Sequence, residues 1–379
     1  MKILLGTPRL PHDVSEISIT LKKKDNGHTR IILEELKPSS YSSYSESVLV
    51  SAITSFSHNR NGYVALSRAT RMTTLYRYDE SGWCKMYTLR CLPSLTTSSS
   101  DYIIYLEVVG NYLISCSNRG LFSVQDLDAM YKTDCKVCDK LFFAMVNGPV
   151  GFCHNIDNDP FRFMIGGYDH NVEIYDLTSL YQKMTHSYKT NPLMNVIRER
   201  VVKVDPIWKG FNDGFSWVQD AVVIPEDKRI SGLDLSVWAI NKFGQLISYS
   251  PQITSVITDK FQISNYPMLK MFVIDKRNLI LLDSFNLIAV VNTELGEVIK
   301  QFDIPVIGTI SAIEFVPVRK RELFLLIIGS IDGHLRVYLF NFPELGLKLL
   351  AVKDVGSIIP ALRLLDFDQE LAKLYGPEA

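Results

Sequence analysis

Five times along the 379-residue chain, a short polar turn leads into a strand of alternating apolar residues. The copies lie at 117–126, 168–176, 242–249, 284–290 and 331–338, and a weaker one lies at 73–79. Aligned at Thr73, Gly120, His170, Gly244, Asn286 and Gly333, they are spaced by 47, 50, 74, 42 and 47 residues. Apart from the long step, this is near the roughly 40–45-residue period of a four-stranded WD-type propeller blade. Two residues past each alignment point the side chain is apolar (Leu75, Phe122, Val172, Leu246, Ile288, Leu335). Period-two alternation then makes each copy a half-buried strand. Turns such as Asn118-Arg119-Gly120 and Asp332-Gly333 hold residues that tolerate the positive φ of tight hairpins.

Flanking segments supply the other strands of each blade. Apolar runs precede the turns at 63–66, 112–115, 161–165, 237–240, 279–282 and 323–328, and outer strands follow at 86–89, 298–302 and 347–352. Residues 3–5, 14–21 and 29–36 form a further set, which brings the total to seven. An open β-array leaves an unpaired edge, so the apolar stretch 358–365 is expected to complete the first blade. The expectation is an all-β, seven-bladed WD40-type β-propeller closed by pairing of the N- and C-terminal strands. It spans residues 1–367 with an insertion at about 189–214, and a short tail follows at 368–379. The aromatic content of 11% favours β-structure, and 47% apolar residues exclude a disordered chain.

A net charge of −1 argues against whole-surface attraction to nucleic acid or membrane. No window approaches the roughly 18 apolar residues that a membrane helix needs, and the opening residues are too briefly apolar for a secretion signal. The six cysteines are therefore read as reduced thiols.

Little in the sequence points to catalysis. Cys135-Lys136-Val137-Cys138 with Cys153-His154 is only a partial zinc pattern, because neighbouring strand residues point to opposite faces. No nucleophile elbow, phosphate loop or dinucleotide fingerprint occurs. His170 and His334 fall beside hairpin turns, and Asp126, Asp176 and Asp332 recur at blade-equivalent or turn positions, as turn-capping carboxylates would. No catalytic residue, cofactor or metal is assigned.

Surface binding remains. Basic groups sit at Lys22, Lys23 and Lys24, at Arg198, Arg200, Lys203 and Lys209, and at Arg319, Lys320 and Arg321, each in an expected turn or insertion. Such runs serve as solvated loops or as a rim that meets RNA phosphate or an acidic partner. Trp208, beside Pro206 and Ile207, is either an aromatic anchor or a core residue. The Ser/Tyr-rich stretches 39–47 and 95–100 read as exposed linkers or phosphorylation sites.

An ordered series of motifs adds a resemblance. Gly148-Pro149-Val150 begins a blade, and Gly166-Gly167 precedes Asn171-Val172-Glu173-Ile174-Tyr175. Val204-Asp205-Pro206-Ile207-Trp208, Tyr266-Pro267-Met268 and Asp332-Gly333-His334-Leu335-Arg336-Val337 follow, and then Val355-Gly356-Ser357 and Leu364-Leu365-Asp366. Over residues 148–366 this resembles the nucleolar WD-repeat ribosome-biogenesis factors, the family of yeast Nop-seven-associated protein one and human WD-repeat protein seventy-four. The resemblance implies a non-enzymatic scaffold on large-subunit (60S) ribosomal precursors in the nucleolus. Its implied partners are other assembly factors and pre-ribosomal RNA, and an AAA-type ATPase would release it. The competing expectations are a WD40 adaptor of another pathway, such as a ubiquitin-ligase substrate receptor, and a hydrolytic or metal-bearing propeller.

Overall fold

A computed structural model describes residues 2–7, 14–23, 29–36, 49–58, 61–69, 72–79, 82–90, 101–128, 142–168, 171–190, 201–211, 217–225, 235–249, 257–304, 309–319 and 322–365. Among these, the chain forms seven sheets. It clusters into two units, residues 1–89 with 302–379 and residues 90–301.

The smaller unit contains the seam. Strands β1 (Lys2–Gly6), β2 (Val14–Lys23) and β3 (Thr29–Glu35) pair in sequence, and β29 (Ala361–Leu365) adds to the free side of β1. The register runs antiparallel from Lys2 opposite Leu365 to Gly6 opposite Ala361. Two meanders complete this unit: β4 (Val50–His58), β5 (Asn61–Arg68), β6 (Met72–Asp79) and β7 (Gly82–Arg90), then β25 (Ile310–Arg319), β26 (Leu323–Ser330), β27 (His334–Asn341) and β28 (Gly346–Asp354). Their cores meet on the seam sheet. Ile3, Leu5 and Ile17 pack with Leu325 and Ile327 on one side, and Leu4 and Val14 pack with Val64 and Leu66 on the other.

The larger unit holds four sheets. They are β8 (Ile103–Val109), β9 (Tyr112–Ser117), β10 (Leu121–Asp126) and β11 (Phe142–Met145); β12 (Val150–Asn155), β13 (Arg162–Gly167), β14 (Asn171–Asp176) and β16 (Trp208–Phe211); β17 (Val218–Pro225), β18 (Leu235–Asn241), β19 (Gln245–Tyr249) and β20 (Ile257–Gln262); and β21 (Met268–Val273), β22 (Asn278–Asp283), β23 (Leu287–Asn292) and β24 (Glu297–Asp303). Every residue of the middle strand β22 is buried, and its Leu279 and Leu281 pack with Trp238, Ile240 and Leu246 of the preceding sheet. The fourth strands β20 and β24, by contrast, are largely exposed.

The long repeat step is not a simple insertion. After β14 the chain forms helix α1 (Thr178–Thr190), whose Leu180, Tyr181 and Met184 pack on the core beneath β9, β10 and β13. The chain then returns as β15 (Val201–Lys203), a fifth strand running parallel to β11 of the preceding sheet, before β16 closes its own sheet. Residues 201–203 and 208–211 of the expected insertion are thus ladder strands, because β11 would otherwise present an open edge. Among the described residues, no helix is long and apolar enough to cross a membrane.

Candidate partner-docking face

In four sheets whose turns are described, the turn between the second and third strands lies beside the segment entering the first strand, and this defines the upper end. One hydrogen bond joins these connections in sheet after sheet: Asn118 N–H to Tyr102 O, Lys242 N–H to Trp217 O and Ser284 N–H to Pro267 O in the larger unit, and Ile331 N–H to Thr309 O in the smaller. A polar side chain ending the second strand anchors the turn from below. Ser117 Oγ accepts from Arg119 and Leu121, Asn241 Oδ1 from Phe243 and Gln245, and Asp283 Oδ1 from Phe285 and Leu287. The turn backbone is thereby satisfied internally, and its side chains are free to face outward.

In the larger unit those outward residues are aromatic. Tyr102, Tyr168, Phe211, Trp217, Phe243, Tyr266 and Phe285 are all exposed, Phe285 to 67%, and all lie at the upper end. They include every exposed aromatic among the described side chains. The rings form a surface: Tyr168 meets Trp217 edge-on at 5.1 Å between centroids, and Tyr266 stacks on Phe285 at 4.4 Å. The Lys242 ammonium lies 4.6 Å from the Trp217 centroid and 5.5 Å from that of Phe243, and Lys209 sits 5.4 Å over Phe211. Exposed rings gathered on otherwise solvated connections are the usual mark of an interaction site.

Charges on this face are sorted by depth. Asp101 and Glu173 are buried, and each receives an exposed or half-exposed cation at 2.7 Å, Arg119 and Lys209 respectively. Glu173 also accepts from Tyr175 Oη at 2.5 Å and from the Asn147 amide at 3.2 Å.

A second polar cluster joins three first strands lower down. Asp220 on β17 is wholly buried and accepts from His154 Nε2 on β12 at 2.6 Å, Lys270 Nζ on β21 at 3.1 Å and Met271 N–H at 3.0 Å. Burial pushes the Asp220 carboxyl up, but Lys270, His154 and the Met271 N–H outweigh it and hold the group below the usual carboxylate range. Cys153 points to the opposite side of β12, against buried Cys116; burial, with the Cys116 contact, pushes its thiol well up, which makes it unreactive. Cys135, Cys138 and His170 lie outside the described residues, and among the described ones no three metal-ligating side chains gather.

The residues singled out from sequence fare unevenly. Trp208 is buried and packs edge-on against Tyr249, so it is core and not an anchor. Lys22 and Lys23 are in β2, Lys203 in β15, Lys209 in β16 and Arg319 in β25, which places them in strands and not in the expected loops. In the smaller unit, Lys23 and Arg319 end strands at the lower end of their sheets. Lys24, Arg198, Arg200, Lys320 and Arg321 lie outside the described residues. The aromatic face itself was missed, although its signal was present: Phe243 and Phe285 stand immediately before the positive-φ residue of a turn, where an apolar ring has no packing reason to be.

Comparison with models of known protein families finds no match, and no curated protein matches the chain. Among solved structures, the chain is similar to the crystal structure of the WD40 β-propeller domain of Doa1. The TM-score is 0.56 and the identity 12%, over 82% of this chain and 84% of that one. At that identity the likeness concerns the fold, which is all-β: a seven-bladed WD40-type propeller with its N- and C-terminal strands paired in one sheet.

Proposed function

We propose that this chain is a non-enzymatic docking platform whose partner-binding surface is the upper end of the larger unit. One observation carries the reading: all seven exposed aromatics of the described residues lie on that end, and Phe243 and Phe285 are held outward by turns anchored from below. Aromatic residues are enriched in interface cores, and rigid turns present them at little entropic cost. The polar clusters below the surface are saturated by mutual contacts and stitch blades together.

The finer reading is a scaffold in large ribosomal subunit assembly in the nucleolus, binding other assembly factors and pre-ribosomal RNA until an AAA-type ATPase removes it. Its support is the ordered motif series over residues 148–366, of which Tyr266 is itself part of the aromatic face. Tagged protein should sediment with large-subunit precursors and co-purify with their RNA. A variant carrying Trp217→Ala and Phe285→Ala should lose those partners while keeping its melting temperature. Migration solely as a free light species sinks the ribosomal reading, and recovery of ubiquitin-ligase subunits instead assigns the platform to another pathway.

A further inference from the structure

Lys242 and, on the outlying strand β15, Lys203 are cations at the upper end whose charge no described residue answers, and of the two Lys242 is the one set against exposed rings. Arg119 and Lys209 are each held at 2.7 Å by a buried carboxylate, whereas the Lys242 ammonium rests on ring faces and makes no ion pair with a described residue. Asp101, Glu173 and Asp283 on this face are buried. Asp101 and Glu173 take the two paired cations, and Asp283 accepts from its own turn and from Ser264 Oγ at 2.6 Å. What the surface offers is therefore a single outward ammonium set among exposed rings. Ring quadrupoles attract such a cation without neutralising it, so it keeps its capacity for a carboxylate.

We propose, resting on the docking reading above, that this face takes an acidic polypeptide segment. An Asp or Glu carboxylate of the partner engages Lys242, and an adjacent apolar or aromatic side chain lies against Trp217 and Phe243. A nucleic-acid strand fits less well. Its affinity grows with the number of phosphates neutralised, and here the unanswered described cations are Lys242 and the outlying Lys203, on a chain whose net charge is −1. The Tyr266–Phe285 pair is also stacked on itself, at 9° between ring planes, which closes the gap a base would enter.

The test uses the full chain and a phage-displayed library of random dodecapeptides, followed by fluorescence polarisation of the selected sequences. The expected consensus places Asp or Glu beside Trp, Phe or Leu. Lys242→Glu should weaken these peptides by about tenfold or more, and added salt should weaken them further. Exchanging the peptide's acid for Lys should restore binding to the Lys242→Glu protein, which a misfolded variant cannot do. Failure to enrich any peptide, enrichment without acidic residues, or indifference to Lys242→Glu overturns the proposal. Tighter binding of a fluorescein-labelled single-stranded oligouridylate, lost in the same variant, overturns it in favour of nucleic acid. Should the Trp217→Ala, Phe285→Ala variant lose its cellular partners while no acidic consensus emerges, the docking face stands and its acidic specificity falls. Retention of those partners removes both.

Discussion

Gly120, Gly244 and Gly333 hold φ at 84°, 74° and 84°, and Asn286 holds 70°. These are four of the six positions at which the repeats align, so this part of the fold was legible to single-residue precision. Its cause is local: the turn needs a left-handed residue, and the carbonyls of Gly120, Gly244 and Gly333 receive N–H groups from the strand beyond. A Cβ on Gly244 would stand 2.0 Å from Ser264 O, whereas one on Gly110, also at positive φ, would meet nothing within 4 Å. Gly244→Ala should therefore cost clearly more than Gly110→Ala, about 2–4 kcal/mol against roughly 1, as read by denaturant unfolding. Equal losses would mean the turn is not packed against its neighbour. Asp220 gives a pH signature. Its folded pKa is depressed, so its contribution is present above the unfolded value near 4 and is lost as pH falls through the folded one. Asp220→Ala should cost about 1–3 kcal/mol at neutral pH, because Met271 N–H loses its acceptor while Lys270 and His154 can still reach water. The deficit relative to wild type should shrink below about pH 4; a deficit unchanged by acid would show that the carboxylate's charge is immaterial.

At the level of elements, the seam was legible because an array of strands without closure leaves an edge, and 358–365 was the apolar stretch left to fill it, of which 361–365 form the strand. Leu364 is buried there among Ile3, Leu325 and Leu335, and its N–H reaches Glu314 at 2.5 Å. Leu364→Ala should lower stability by about 2–4 kcal/mol. Leu349→Ala, on exposed outer strand β28, should shift it by less than about 0.5. Similar small shifts for both would argue that the terminal strand does not close the sheet. Helix α1 and β15 escaped the repeat reading for different reasons. The helix carries its own signals, an Asp176 carboxylate accepting from Thr178 N–H at 2.9 Å and an apolar side at Leu180, Tyr181 and Met184, but it interrupts the blade rhythm. Strand β15 has three residues, too few for periodicity, and its partner β11 lies more than fifty residues back in sequence.

For the molecule as a whole, alternation tells which residues share a face but not whether another sheet covers it. That is why two tryptophans divide as they do: Trp208, which the sequence leaves open between anchor and core, is buried under Tyr249, while Trp217, unremarked, is 40% exposed beside Tyr168 and Lys242. Function in this fold is written on its connections, and the connections of the larger unit concentrate rings at one end. The most direct measurement is site-specific photo-crosslinking in cells, with benzoylphenylalanine placed at Phe285 or, in a separate variant, at Leu349 on the outer strand. A docking platform of this kind should give ultraviolet-dependent adducts to a partner protein from position 285 and none from 349. Adducts from 349 alone, or from neither position in a folded protein, would contradict the assignment of the aromatic face.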